Sequence, residues 1–196
     1  MKKITLSQIK ELATNYGIPL AHIRASIEVE ASGSGFLPDG RPKILFERHK
    51  FYKYAQGKFA ATHPEICNKT MGGYATGATS LERMQKEWER LALAMELNRE
   101  AAILSASWGM GQVMGFHWQS LGYPTPQMFV NAMFHSEYQQ LIAMFNFIKQ
   151  TPALLKAIQA GNWPTVAFLY NGKSYAKNQY DKKLAAAAEK FKKEIA

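Results

Sequence analysis

The sequence predicts a mostly α-helical domain that carries one small β-hairpin. Helix-start signals recur along the chain, as Thr5-Leu6-Ser7-Gln8, Thr79-Ser80-Leu81-Glu82, Thr125-Pro126 and Thr151-Pro152. Between those signals the apolar residues fall at helical spacing. One segment, 32–47, breaks the pattern with Gly33, Gly35 and Pro38-Asp39-Gly40-Arg41-Pro42 before the strand-like Ile44-Leu45-Phe46.

Taken in order, Thr5 and Gln8 form a capping box, and Gly17 closes the first helix. Pro19 sits at the usual first-turn position of a second helix over 19–31. Residues 32–47 read as a glycine-rich exit loop and the hairpin, 48–60 hold a short helix, and 62–79 form a long surface loop. Thr79 caps an amphipathic helix in which Leu81, Met84, Trp88, Leu91 and Met95 step by 3, 4, 3, 4, and a further helix covers 99–106. Thr125-Pro126 opens a long helix to about 149, and Thr151-Pro152 opens the next, closed by Gly161. Asn162-Trp163-Pro164 starts another, ended by Gly172, and the tail 175–195 is a basic, alanine-rich helix. Neither repeat nor linker interrupts the pattern, so 1–196 reads as a single domain with a basic C-terminal helix over 175–195.

The 196 residues, 47% hydrophobic and 12% aromatic, can bury a core without disulfides or metals. Cys67 is the single cysteine, which excludes an internal disulfide and reads as a small buried hydrophobe. Met1-Lys2-Lys3 resembles the start of an export signal, but Ser7, Gln8, Lys10 and Glu11 interrupt any apolar run, so none is read. A net charge of +9 draws the chain to polyanions, whether nucleic acid, anionic lipid or an acidic cell envelope. Five histidines form no metal-binding motif, so no metal and no cofactor is expected.

The informative carboxylate is Glu30. Leu20, Ile23 and Ile27 mark the buried stripe of the second helix, and continuing that spacing lands on Glu30. Glu28 lies on the polar side, four residues from Arg24, where an ion pair along the helix is expected. Glu30 also falls in the last turn, where the negative end of the helix disfavours an anion, and desolvation disfavours it again. Both effects suit a general acid, a carboxyl still protonated near neutral pH.

Three ordered segments support a family resemblance. Glu30-Ala31-Ser32 resembles the Glu-Ser motif of lytic transglycosylases and goose-type lysozymes, with Ala31 standing where many relatives have Ser. Ser105-Ala106-Ser107-Trp108-Gly109-Met110-Gly111-Gln112 resembles their Ser…Gly-Leu-Met-Gln motif, and Ala167-Phe168-Leu169-Tyr170-Asn171-Gly172 their Ala-Tyr-Asn-x-Gly motif. The stretch from Gly35 to Glu47-Arg48-His49 is more closely similar to the N-acetylmuramidase domain of phage endolysins, and the similarity runs over about 18–190.

That resemblance implies a lysozyme-like fold, in which a helix end and a small sheet flank a substrate cleft. It makes Glu30 the proton donor, with Gln112, Tyr170 and Asn171 binding substrate along the cleft. The substrate implied is bacterial peptidoglycan, cut at its β-1,4 glycosidic bond by a monomeric enzyme that lyses the host cell. Such an enzyme accumulates in the host cytoplasm and reaches the periplasm and wall after release. Gly109 and Gly111 read as positions where backbone approaches a sugar closely, and Trp108 as a candidate stacking platform.

Hydrolysis calls for a second carboxylate. Glu47 is preferred, because a strand fixes a carboxylate better than the turn holding Asp39. Without one, the chemistry is that of a lytic transglycosylase, which leaves 1,6-anhydromuramic ends. The basic tail suggests contact with outer-membrane lipopolysaccharide, or else a docked helix with a solvated lysine face. A reading of another class is a non-enzymatic binder of envelope polyanions or nucleic acid. The scattered lysines match no recognition helix, so no specific nucleic acid is expected.

Overall fold

A computed structural model describes residues 3–30 and 33–195; Ala31, Ser32 and the side chains of Asn171, Lys173, Ser174, Lys177 and Ile195 lie outside that description. Local signals set the first helices. The Thr5 hydroxyl accepts from the Gln8 N–H (3.3 Å) and the Gln8 side chain accepts from the Thr5 N–H (3.0 Å), starting α1 (Leu6–Tyr16). Gly17, left-handed at φ 61°, ends it, and α2 (Leu20–Glu30) follows.

The hairpin expected within 32–47 is reduced to one bridge, Phe36 to Pro42. Pro38 and Pro42 lack the N–H groups a ladder needs. β1 (Ile44–Phe46) pairs instead with β2 (Ala106–Trp108), and β2 with β3 (Val113–Met114), giving an antiparallel sheet in the order β1-β2-β3. The β1–β2 ladder extends at both ends, because the Glu47 N–H donates to Ser105 O (2.9 Å) and the Gly109 N–H to Lys43 O (2.8 Å).

Further along, α3 (Arg48–Tyr54) is short, and the expected helices after Thr79 are joined in α4 (Ser80–Leu104). A kink at Asn98 (φ −158°, ψ 97°) separates its two parts, and the Asn98 side chain caps the second through the Ala101 N–H (3.0 Å). The loop over 62–79 is strapped to α3 and α4. Arg48 donates to Thr70 O (2.9 Å), Lys86 to Thr76 O (3.0 Å), and the buried Glu87 accepts from the Ala75 N–H (2.6 Å) while pairing with Arg90 (2.8 Å).

The long helix expected to about 149 is two, α5 (Pro126–His135) and α6 (Glu137–Lys149). Ser136 between them is extended (φ −168°, ψ 161°), and its hydroxyl accepts from the Gln139 N–H (3.3 Å). Serine competes well as a cap and poorly as a helix interior, so the chain turns there. α7 (Pro152–Ala160) and α8 (Trp163–Asn171) start and stop where expected. The tail is not one helix: a 3-10 segment (Lys173–Asn178) precedes α9 (Tyr180–Ile195), with Gln179 left-handed at φ 51° between them.

α9 docks along α2. Leu184, Ala187, Ala188 and Phe191 are buried in the core, and the Arg24 guanidinium lies 3.9 Å from the Phe191 ring centre. The ion pair expected between Arg24 and Glu28 does not form. Arg24 pairs with Glu194 (2.7 Å) and Glu28 with Lys190 (2.9 Å), so both charges tie α2 to α9. Trp108, Phe46, Phe51, Phe129 and Phe145 are the bulkiest fully buried side chains among the described residues, and Cys67 is buried too. Among the described residues no helix is long and apolar enough to cross a membrane.

Candidate active site

The C-terminal end of α2, the loop after it and the sheet meet around a cavity of about 230 Å³. Glu30 and Ser34 line one side, Lys43, Ile44 and Gln112 the sheet side, and Met84, Gly109 and Met110 the remainder. A larger hollow of about 550 Å³ lies between α2 and α9, but its Glu28 and Lys190 are already paired with each other. The smaller cavity holds the converging polar groups that chemistry needs.

Glu30 is half-buried at the end of α2. Tyr170 on α8 lies within its electrostatic reach: burial first, then the Glu30 carboxylate, pushes the Tyr170 phenol far above its usual range. Tyr170 is therefore a neutral donor at any working pH, and its hydroxyl donates to Gly111 O (3.2 Å), tying α8 to the 109–112 turn. Asn171 ends α8, and its side chain lies outside the described residues.

Gln112 is held from three directions. Its carbonyl accepts from the Ser107 hydroxyl (2.8 Å), and its amide nitrogen donates to Gly109 O (2.8 Å) and Lys43 O (3.4 Å). Its backbone is left-handed at φ 47°, a costly conformation that a cleft residue retains only when its surroundings enforce it. Leu45 is the register partner of Ser107, so Leu45 shares the face that carries Gln112. Alternation then puts Lys43 and Glu47 on that face as well.

Glu47 does not line the Glu30 cavity. It lies two residues beyond Leu45, roughly 7 Å along the strand. There its carboxylate accepts from the Tyr74 hydroxyl (3.0 and 3.2 Å) and faces His49 Nδ1 at 3.2 Å. Asp39 stays at the turn tip, where the Arg41 side chain and backbone N–H hold its carboxyl below the usual range.

With this geometry in view, the similarity to known proteins is informative. A family model described as N-acetylmuramidase matches residues 19–192. The chain belongs to the N-acetylmuramidase family. It is a glycoside hydrolase of peptidoglycan with a lysozyme-like, mostly helical fold, and the reading as a non-enzymatic polyanion binder falls away. The crystal structure of the Burkholderia AP3 phage endolysin is 41% identical, with a TM-score of 0.91 over 100% of this chain and 73% of that one. No curated protein matches the chain.

Within this muramidase, several residues do work other than that expected. Trp108 is fully buried; its indole N–H donates to Ile103 O (3.2 Å) and its ring meets Trp88 edge-on, so no sugar stacks on it. Gly109 and Gly111 make room for α6 more than for a sugar. A Cβ on Gly109 would stand 2.7 Å from the Gln140 side chain, and one on Gly111 would stand 2.6 Å from Met144 Cβ.

Two buried α6 residues were missed. Glu137 accepts from the Gly35 N–H, the Ser34 hydroxyl and the Ile4 N–H, each at 3.0 Å. Gln140 accepts from the Met110 N–H (2.9 Å) and donates to Met133 O (2.8 Å) and Gly35 O (3.4 Å). One helix face thus fixes the loop behind Glu30 and the turn beside Gln112. A Glu followed three residues later by a Gln on an otherwise apolar helix was the available signal.

Proposed function

We propose that this chain is a phage endolysin in which Glu30 is the general acid that protonates the leaving oxygen of the muramic–glucosamine bond. One observation carries the reading: a half-buried glutamate at a helix C-terminus lines the same cavity as Gln112 in the β2–β3 turn. A general acid has to deliver its proton to the leaving oxygen, and this position puts a carboxyl at the wall of the cavity. Gln112 lines the wall that receives the glycan and Tyr170 braces it through Gly111 O, with Asn171 at the adjoining helix end.

Glu47 is the candidate base for the attacking water, since alternation places it on the face of Leu45 and Ser107, whose hydroxyl holds Gln112, and the Tyr74 hydroxyl donates to it. A second reading is favoured by the cavity itself, where Glu30 is the single carboxylate among the lining residues. There the substrate's own hydroxyl attacks, as in lytic transglycosylases. Mass analysis of digested peptidoglycan separates the two. Hydrolysis adds one water per cut and predicts a fall of about 10²-fold in kcat for Glu47→Gln. The intramolecular route gives anhydro ends and an unimpaired Glu47→Gln enzyme. Peptide fragments without glycan cleavage would refute both.

The envelope partner is narrower than an amphipathic helix would imply. The apolar face of α9 is already packed in the core, so contact with lipopolysaccharide rests on the exposed Lys182, Lys183 and Lys193, since Lys192 is paired with Glu189. Replacing these three by Gln is expected to leave Tm within about 2 °C, because exposed charges contribute little. It should weaken salt-sensitive binding to lipopolysaccharide vesicles; undiminished binding removes that role. A monomer that accumulates in the host cytoplasm and reaches the wall after release completes the proposal.

A further inference from the structure

Lys43 differs from the other cations around α2 and the sheet. Arg24 is paired with Glu194, Arg41 with Asp39, Arg90 with Glu87 and Lys190 with Glu28. Lys43 enters none of the ion pairs among the described residues, yet it lines the cavity that holds Glu30. Those two are the charged groups of that lining.

Its backbone is fixed from both sides. The Lys43 N–H donates to Gly35 O (2.9 Å), while Lys43 O accepts from the Gly109 N–H (2.8 Å) and the Gln112 amide (3.4 Å). The side chain is half-buried, and its ammonium lies 3.5 Å from the place a Cβ on Gly33 would take, over the loop that follows Glu30. A half-buried cation with no carboxylate partner among the described residues leaves its charge available to an incoming anion. The substrate brings one, because the lactyl arm of each muramic sugar bears a peptide with free carboxylates.

We propose that Lys43 is a specificity-determining residue that binds a carboxylate of this peptide arm and so seats the muramic sugar beside Glu30. The proposal rests on the assignment of this cavity as the glycan site. It separates muramic from glucosamine by charge, since a glucosamine sugar carries no such arm.

The test measures kcat and KM on purified peptidoglycan before and after carbodiimide-driven amidation of its stem carboxylates, which keeps the glycan and removes the charge. Wild type and the surface control Lys10→Gln are expected to show KM raised roughly tenfold on the amidated substrate, with kcat little changed. Lys43→Gln should give the same KM on both substrates, as should Lys43→Met, and Lys43→Arg should restore the difference. A neutral Lys43 variant that still distinguishes the substrates, or a wild type indifferent to amidation, overturns the proposal. Failure of the site assignment looks different: Glu30→Gln would then still cleave both substrates.

Discussion

Glu30→Gln is expected to lower kcat/KM on purified peptidoglycan by roughly 10³-fold while leaving the fold intact, a loss of about 4 kcal/mol in transition-state stabilisation. The substitution keeps the length and shape of the side chain and an acceptor oxygen at the end of α2. It removes the one proton that can pass to the leaving sugar oxygen. Because α2 is half-buried against α9 through other residues, Leu184 and Phe191 among them, Tm should move by no more than about 2 °C. Solubilisation of labelled peptidoglycan, read beside a thermal melt, checks both halves. Lysis retained at wild-type rate by the folded variant would remove Glu30 from the mechanism. The Tyr170 phenol offers a second readout: losing the Glu30 charge lets its pKa fall, although burial, the larger cause, still holds it high.

How much of this was legible in the sequence follows from how local each determinant is. The ends of α1, α7 and α8 rest on Thr5, Gly17, Gly161 and Asn162, each acting within one turn, and these were read correctly. The half-buried place of Glu30 at the end of α2 was legible, because a charge that continues an apolar spacing stands out within its own helix. The sheet was not, since β2 and β3 have only three and two residues and their partners lie far away in sequence. The glycines of their connection suggest only close approach to a sugar, and nothing near Ile44 announces that its partner is Trp108. The break at Ser136 was hidden by apolar spacing on both sides, and the kink at Asn98 by the reverse error, a gap placed where α4 bends but continues. Charge pairing failed for the same reason: Arg24 and Glu28 obey the helical spacing rule, but α9 offers each of them a different partner.

Glu137 shows the same limit at the site, and it carries the second large prediction. In sequence it reads as one more charge inside the long helix that runs to about 149, and only the break at Ser136 puts it in the first turn of α6. In the fold it is buried and gathers three donors, the Gly35 N–H, the Ser34 hydroxyl and the Ile4 N–H. Glu137→Ala strips the partner from all three and leaves the buried Gly35 N–H unsatisfied. The expected cost is about 3 to 5 kcal/mol, and Tm should fall by roughly 10 °C. Glu137→Gln keeps one oxygen for Gly35 and Ser34 but turns an NH₂ toward the Ile4 N–H, so its cost should be about a third of that. Activity separates positioning from mere packing. Ser34 lines the same cavity as Glu30 and Gln112, so loosening the Ser34–Gly35 segment is expected to shift that wall relative to both. The Gln variant, measured well below its melting point, is therefore expected to lose about tenfold in kcat with KM little changed. A Gln variant with wild-type kcat, or one in which kcat and Tm fall only in step as temperature rises, would reduce Glu137 to a structural residue.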